Sequence, residues 1–190
     1  MSGKGGRQAI AQGKLDGLCG VYSIINSIGL IEKKPLRDED RKALFVYLVD
    51  LLDDGSGIGS IIHQGINFRD LGKLVDVASR LRSATTKETV KRQTAMKQMP
   101  NDIEEFWSVL ADHVDLARRQ VAILGISGKY NHWTVVKSVK PRRLELQDSD
   151  GLAHLDMSRC RLKAGEDGTH TLWPTQCYLL LPEEDIRERL

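Results

Sequence analysis

The spacing of apolar residues in this chain of 190 residues changes once, near residue 119, and that change restricts the folds it can adopt. Before it, apolar residues recur with the helical period; Val21, Ile24, Ile25 and Ile28, for example, lie at positions i, i+3, i+4 and i+7. After it, short apolar or alternating segments between turn residues are typical of strands. Helices followed by consecutive strands predict an α+β fold in which N-terminal helices pack on an antiparallel sheet.

Helices are predicted at four places in the first part of the chain. The first begins just after Cys19 and ends at Gly29, and the second carries a leucine stripe. The third starts at an Asn67 N-cap, and the fourth opens on a capping box formed by Asn101 and Glu104. The side chains that we expect to face the core from helices two to four are Leu44, Leu48, Leu51, Leu52, Leu71, Leu74, Val75, Ala78, Leu81, Ile103, Phe106, Trp107, Leu110 and Val114.

Strands are predicted at residues 120–126, 132–139, 143–147 and 176–181. The first is a continuous apolar run, typical of a buried strand. The second and third are separated only by residues 140–142, a spacing that predicts a hairpin. Such a hairpin brings the start of the second strand next to the end of the third.

Two segments show no clear period. Residues 54–60 are rich in glycine and predict a flexible loop. Residues 83–99 are polar and basic and predict a long loop or an irregular helix. The basic stretch from Arg80 to Lys97 could contact an acidic protein or nucleic acid, but a solvated face is the simpler interpretation.

Composition and charge restrict the function classes. Hydrophobic residues make up 41% and charged residues 28%, which is ordinary for a globular protein, and we expect one domain over residues 1–190. The net charge of +2 gives no reason to expect nucleic acid. No apolar run approaches the roughly 20 residues of a membrane span, and no apolar segment precedes Gln12, so neither a membrane partner nor a secretory signal is expected.

The cysteine content favours a reducing compartment. Three cysteines at wide spacing do not form a disulfide framework, which needs an even number. We therefore expect a cytoplasmic protein, with export as an effector through a signal-independent machinery as the alternative. Cys160 and Cys177 have no chemical partners nearby in sequence and are interpreted as structural. The histidines show no metal-ligand spacing, so no metal and no cofactor are predicted.

Cys19 is the residue with the most chemical meaning. It stands where a glycine-flanked polar turn meets the first helix. The unpaired N–H groups and the positive end of the helix dipole favour a thiolate at such a position, and the thiolate is the nucleophilic form of cysteine.

Three further residues could complete a nucleophilic centre around this thiol. His132 starts a predicted strand and can serve as the base, while Asp148 ends the next strand and can orient the imidazole. The predicted hairpin places these two side by side, although Asp150 is a rival for Asp148. The side chain of Gln12 can donate to an oxyanion together with the backbone N–H of Cys19.

These residues carry a resemblance to a known family. The segments Asp16-Gly-Leu-Cys19-Gly, His132-Trp-Thr-Val-Val136 and Asp148-Ser-Asp-Gly151 resemble the papain-like cysteine peptidase superfamily. They are most similar to the leader-peptidase domains of bacteriocin exporters and their stand-alone relatives. The order Gln, Cys, His, Asp agrees with that superfamily, and the motifs span the chain from Gln12 to Gly151.

The resemblance implies a papain-like fold and cleavage of a peptide or isopeptide bond through a thioester. It implies that Cys19 is the nucleophile, His132 the base, Asp148 the orienting acid and Gln12 the oxyanion donor, in a free-standing enzyme acting on a protein or peptide. Two alternatives stay open. The same triad can catalyse deamidation or acyl transfer, or the fold can serve as a non-catalytic protein-interaction module.

Overall fold

The computed structural model of the protein describes residues 17–53, 59, 65–129, 131–163 and 166–183. Its helices are α1 (Cys19–Ile31), α2 (Asp38–Asp50), α3 (Phe68–Thr86) and α4 (Ile103–His113). Its strands are β1 (Val90–Thr94), β2 (Val121–Gly128), β3 (His132–Lys140), β4 (Arg143–Gln147), β5 (His154–Asp156), β6 (Cys160–Arg161) and β7 (His170–Pro182).

The strands form one sheet in the order β1-β7-β2-β3-β4-β5, and each of these neighbouring pairs is antiparallel. The second half of β7 pairs with β1, and its first half pairs in parallel with the short β6. The predicted α+β class is confirmed, with N-terminal helices on a sheet that is antiparallel apart from the β6–β7 pair.

The two faces of the sheet carry two separate apolar cores. Val121 and Ile123 of β2 belong to the core that also contains α1, α2 and α3. Ala122 and Leu124, which point the other way, belong to the core formed with α4, β4 and β5. Because both faces are covered, β2 is apolar at successive positions rather than alternating, as its sequence predicts.

Side-chain caps fix the starts of α3 and α4. The predicted N-cap Asn67 is confirmed, since its side chain accepts a hydrogen bond from the backbone N–H of Asp70 at 3.0 Å. The capping box predicted for Asn101 and Glu104 lies one residue too early. Asp102 is the N-cap and accepts from Glu105 N at 2.8 Å, while the Glu105 carboxylate accepts from the backbone N–H of Asn101.

The prediction of a loop or irregular helix over residues 83–99 was wrong. Helix α3 continues to Thr86, and residues 90–94 form β1 at the edge of the sheet, paired with β7. Only Val90 of this strand is buried, and it is held by Ser79 Oγ, which donates to the carbonyl and accepts from the N–H, both at 2.8 Å. An edge strand with one buried side chain has no apolar alternation to detect.

Smaller corrections concern element ends. Helix α1 runs past Gly29 to Ile31, and Leu51 and Leu81, which were expected inside, are exposed. Strand β7 begins at His170 rather than at residue 176, and the short polar strands β5 and β6 were not predicted. The loop predicted for residues 54–60 falls almost wholly outside the described residues.

Helix α1 is attached to β3 by a buried hydrogen bond. The hydroxyl of Ser23 donates to the backbone carbonyl of Trp133 at 2.8 Å. The indole of Trp133 donates in turn to the carbonyl of Ile66 at 2.7 Å, which ties the segment before α3 to the same strand. These two bonds position the N-terminus of α1 over the start of β3.

We expect Ser23→Ala to destabilise the protein by about 1–2 kcal/mol, because it leaves the buried Trp133 carbonyl without this donor. Ser27 is the matched control: it lies one turn later on α1, is equally buried, and its hydroxyl has no hydrogen-bond partner among the described residues. Ser27→Ala should therefore cost less. Urea unfolding followed by circular dichroism measures both, and an equal loss in the two variants would contradict the anchoring role.

Candidate active site

Cys19 is the first residue of α1, as the sequence predicts. The preceding residue, Leu18, provides no side-chain cap, and the first backbone hydrogen bond of the helix runs from Tyr22 N to Leu18 O at 3.1 Å. The N–H groups of Cys19, Gly20 and Val21 therefore have no acceptor within α1. The thiol is thus attached to the end of the helix where partial positive charge accumulates.

The sulfur of Cys19 is held at the start of β3. The backbone N–H of Trp133 points at Sγ, with an N–S distance of 3.5 Å. Since Ser23 binds the carbonyl of the same Trp133, the peptide groups on both sides of this residue are fixed by α1. His132 immediately precedes Trp133, so the contact of Cys19 with Trp133 also brings the thiol close to the imidazole.

His132 and Asp148 form a buried pair across the β3–β4 hairpin. The hairpin turns between Lys140 and Arg143, and its register brings the end of β4 beside the start of β3, as predicted. The imidazole Nε2 lies 2.8 Å from Asp148 Oδ2, and the two side chains are 9% and 1% exposed. Water is therefore largely excluded from the pair.

The environment of Asp148 stabilises its ionised form. Its other oxygen, Oδ1, accepts backbone hydrogen bonds from Asp150 at 2.8 Å and Leu152 at 3.1 Å. Burial alone would raise the pKa of Asp148, but the hydrogen bond and charge of His132, together with Thr134 and the Leu152 N–H, lower it below its usual value. The Thr134 hydroxyl faces this carboxylate without a well-aligned hydrogen bond to any described atom.

The rival acid Asp150 is not at the imidazole. Its side chain is exposed, and its described contribution is the backbone N–H that it donates to Asp148. The structure thus places Asp148, and not Asp150, beside the ring.

The imidazole of His132 interacts with both Asp148 and Cys19. Burial lowers its pKa, but the hydrogen bonds and negative charges of Asp148 and Cys19 together raise the pKa to about 10. Because Asp148 occupies Nε2, the ring nitrogen left for the thiol is Nδ1. At neutral pH the ring is therefore a cation between two groups that can carry negative charge.

The remaining candidates divide clearly. Gln12 lies outside the described residues, so its role as oxyanion donor stays a prediction. Cys160 and Cys177 are buried away from this site, and burial raises the pKa of both thiols, that of Cys160 to about 12. Trp133 is a core residue whose backbone N–H contacts the thiol.

Sequence reasoning missed two supporting residues. Ser23 follows Cys19 by four residues, one helical turn, so it lies on the same face of α1 and could have been inferred from that spacing. Thr134 follows His132 by two residues and therefore shares its face of β3, which points it toward Asp148. Neither position carries a motif, and only the register shows what they contact.

The described residues contain no group of three His, Cys, Asp or Glu side chains that could hold a metal ion. None of the helices within the described ranges combines the length and the apolar character needed to cross a membrane. Compared with known proteins, the chain matches no protein-family model and no curated protein. The functional assignment therefore depends on the geometry of the site.

We expect Asp148→Asn to lower the pKa of His132 by about 1–3 pH units, the usual effect of removing an adjacent opposite charge. The imidazole then loses its proton at a lower pH, because burial continues to disfavour the cation. NMR titration of the His132 ring resonances measures the change. Asp150→Asn is the matched control and should leave the titration unaltered; a wild-type pKa near 6.5 would contradict the arrangement.

Proposed function

We propose that the protein is a cysteine peptidase with a papain-like fold, which hydrolyses a peptide bond in a protein or peptide substrate through a thioester. One observation carries the proposal: the imidazole of His132 is hydrogen-bonded to the buried Asp148 carboxylate and also interacts with the Cys19 thiol at the N-terminus of α1. Nucleophile, base and orienting acid are the set that acyl transfer requires.

In the first step the Cys19 thiolate attacks the carbonyl carbon of the substrate. A C–S bond forms, and the electron pair of the C=O bond moves to oxygen. The backbone N–H of Cys19, which has no acceptor within α1, is suited to stabilise this oxyanion. Gln12 remains the candidate for a second donor.

The charge of Cys19 then controls the acidity of His132. The negative charges of both Cys19 and Asp148 raise the pKa of the imidazole. As the thiolate becomes a neutral thioether-like sulfur, one of these two contributions disappears. His132 consequently becomes a stronger acid when the leaving amine needs a proton, and the C–N bond breaks with transfer of that proton.

Hydrolysis of the thioester uses the neutral imidazole that this transfer leaves. His132 removes a proton from water, the hydroxide adds to the carbonyl carbon, and the C–S bond breaks with the electron pair returning to Cys19. Asp148 holds the ring in place and stabilises its cationic form in both halves of the cycle. The reaction needs a free thiol, so we propose a reducing compartment, the cytoplasm, as its location.

The same steps can release ammonia from a glutamine side chain or pass the acyl group to an amine, so deamidation and acyl transfer are the competing enzyme functions. A non-catalytic interaction module is the third. Burying an ion pair is costly and seldom adds stability over apolar residues of similar size. A pair that is almost fully buried next to a thiol is therefore better explained by chemistry than by packing.

Alkylation by iodoacetamide at neutral pH tests the nucleophile. We expect Cys19 to react more than about tenfold faster than Cys160 and Cys177, because the thiolate is the reacting form and burial raises the pKa of the other two thiols. Peptide mapping by mass spectrometry identifies the labelled site. His132→Gln should slow labelling of Cys19, and His154→Gln, at an exposed histidine outside the triad, is the control.

Equal labelling of the three cysteines, or labelling of Cys19 that is indifferent to His132→Gln, would contradict the proposal. Alkylation alone does not separate the reactions of the triad. A second experiment uses a peptide library prepared from a cell lysate and follows its composition by mass spectrometry.

We expect the wild-type protein to create new peptide termini in this library and Cys19→Ala to create none. Deamidated glutamines without new termini would instead identify a deamidase, and peptides joined to an added amine would identify a transferase. An unchanged library with a reactive Cys19 would argue against all three activities on peptides.

A further inference from the structure

Strand β7 has a large irregularity beside the candidate active site. Leu124 of β2 is opposite Cys177, but the next residue, Gly125, is opposite Trp173. Residues 174–176 therefore have no counterpart in β2 and bulge out of the ladder. The bulge sets Trp173 directly across from Gly125.

Gly125 has a tryptophan on each side. It pairs with Trp133 of β3 as well as with Trp173 of β7. Directly opposed residues of neighbouring strands project to the same face of a sheet, so both side chains lie on the face that carries α1. A Cβ atom at position 125 would lie 3.0 Å from the Trp133 ring, so glycine is what allows that ring to lie over β2.

The row formed by Trp173, Gly125 and Trp133 ends next to Cys19. The backbone N–H of Trp133 contacts Cys19 Sγ. Neighbouring strands are about 4.8 Å apart, so the Cα atoms of Trp133 and Trp173 are about 10 Å apart. An extended peptide advances about 3.3 Å per residue, so Trp173 lies within about three residues of a peptide bond held at the thiol.

The exposed part of Trp173 is apolar. The indole N–H donates to Ser127 Oγ at 2.9 Å, yet the residue is 37% exposed. This hydrogen bond directs the ring along β2 toward the end of the sheet where Ile126 pairs with His132. Within the described ranges, the other large exposed apolar side chains lie on helices or loops, so Trp173 is the one presented by the sheet.

We propose that Trp173 is the substrate-specificity residue of the candidate peptidase and binds an aromatic or large aliphatic side chain two to three residues from the scissile bond. This inference rests on the proposed function. The occupant is a peptide because Trp173 lies two strands, about 10 Å, from Trp133, whose backbone N–H contacts the nucleophile. An exposed indole whose N–H is already satisfied selects by apolar contact and ring stacking.

The binding test uses Cys19→Ala, which cannot turn over a substrate. Two hexapeptide amides are compared, acetyl-Ser-Gly-Phe-Gly-Gly-Ser-NH2 and the same peptide with Ser in place of Phe. We expect the Phe peptide alone to shift the indole N–H signal of Trp173 in NMR spectra, which Trp173→Phe assigns by its loss. The indole of Trp107, which donates to the carbonyl of Lys140 and is buried, should not respond.

Trp173→Ala in the Cys19→Ala background should weaken binding of the Phe peptide by about tenfold or more, equivalent to about 1.4 kcal/mol. Leu116→Ala, at an equally exposed apolar residue on a turn, is the matched control and should leave affinity unchanged. Unaltered affinity in Trp173→Ala, or equal binding of both peptides, would overturn the inference.

Alkylation by iodoacetamide separates this result from the proposed function. The reagent is too small to need an apolar subsite, so Trp173→Ala with the native Cys19 should react at the wild-type rate. A reactive Cys19 with no role for Trp173 in peptide binding would leave the peptidase proposal standing and refute the specificity site. Binding at Trp173 with an inert Cys19 would support a peptide site and refute the peptidase.

Discussion

The geometry of the molecule depends on the way α1 holds both sides of Trp133. Its carbonyl accepts from Ser23 and its N–H contacts the sulfur of Cys19, so one turn of helix is bonded to one residue of strand. Because His132 precedes Trp133, this contact determines where the thiol meets the imidazole. The indole, bonded to Ile66, extends the same constraint to the segment that leads into α3. The same contacts therefore pack the core that contains α1, α2 and α3 and align the candidate site.

Hydrogen bonds from neighbouring groups compensate for the free-energy cost of burying the charge of Asp148. Two backbone N–H groups and the imidazole satisfy its oxygens, and the turn after β4 exists in the conformation that supplies those N–H groups. A carboxylate held in this way stays ionised in spite of its burial, which is the condition for keeping His132 cationic. The hairpin register alone would bring the residues close. The N–H groups of the turn help to keep the Asp148 carboxylate ionised, so that it can stabilise the cationic form of His132.

Sequence patterns predicted the features that depend on nearby residues. They missed the features that depend on pairing with a segment distant in sequence. Cys19 at a helix start and Asp148 beside His132 followed from helical period and from a short hairpin connection, both of which are local. Strand β1 could not be found, because its residues become a strand only by pairing with β7, which is distant in sequence. The bulge at residues 174–176 and the contact of Ser23 with Trp133 are likewise properties of the assembled sheet.

Under the proposed function, the interaction between Cys19 and His132 makes the site responsive to the reaction that it would catalyse. The negative charge of Cys19 helps to raise the pKa of His132, so acylation of the sulfur in the proposed cycle would weaken the hold of the imidazole on its proton. Asp148 does not change during the cycle and keeps the pKa of the ring from falling as far as burial alone would take it. In that proposed cycle His132 serves as a base and an acid whose strength depends on the covalent state of Cys19. This requires the three groups to be close and dry, which is what the α1–β3 contact and the β3–β4 hairpin together achieve.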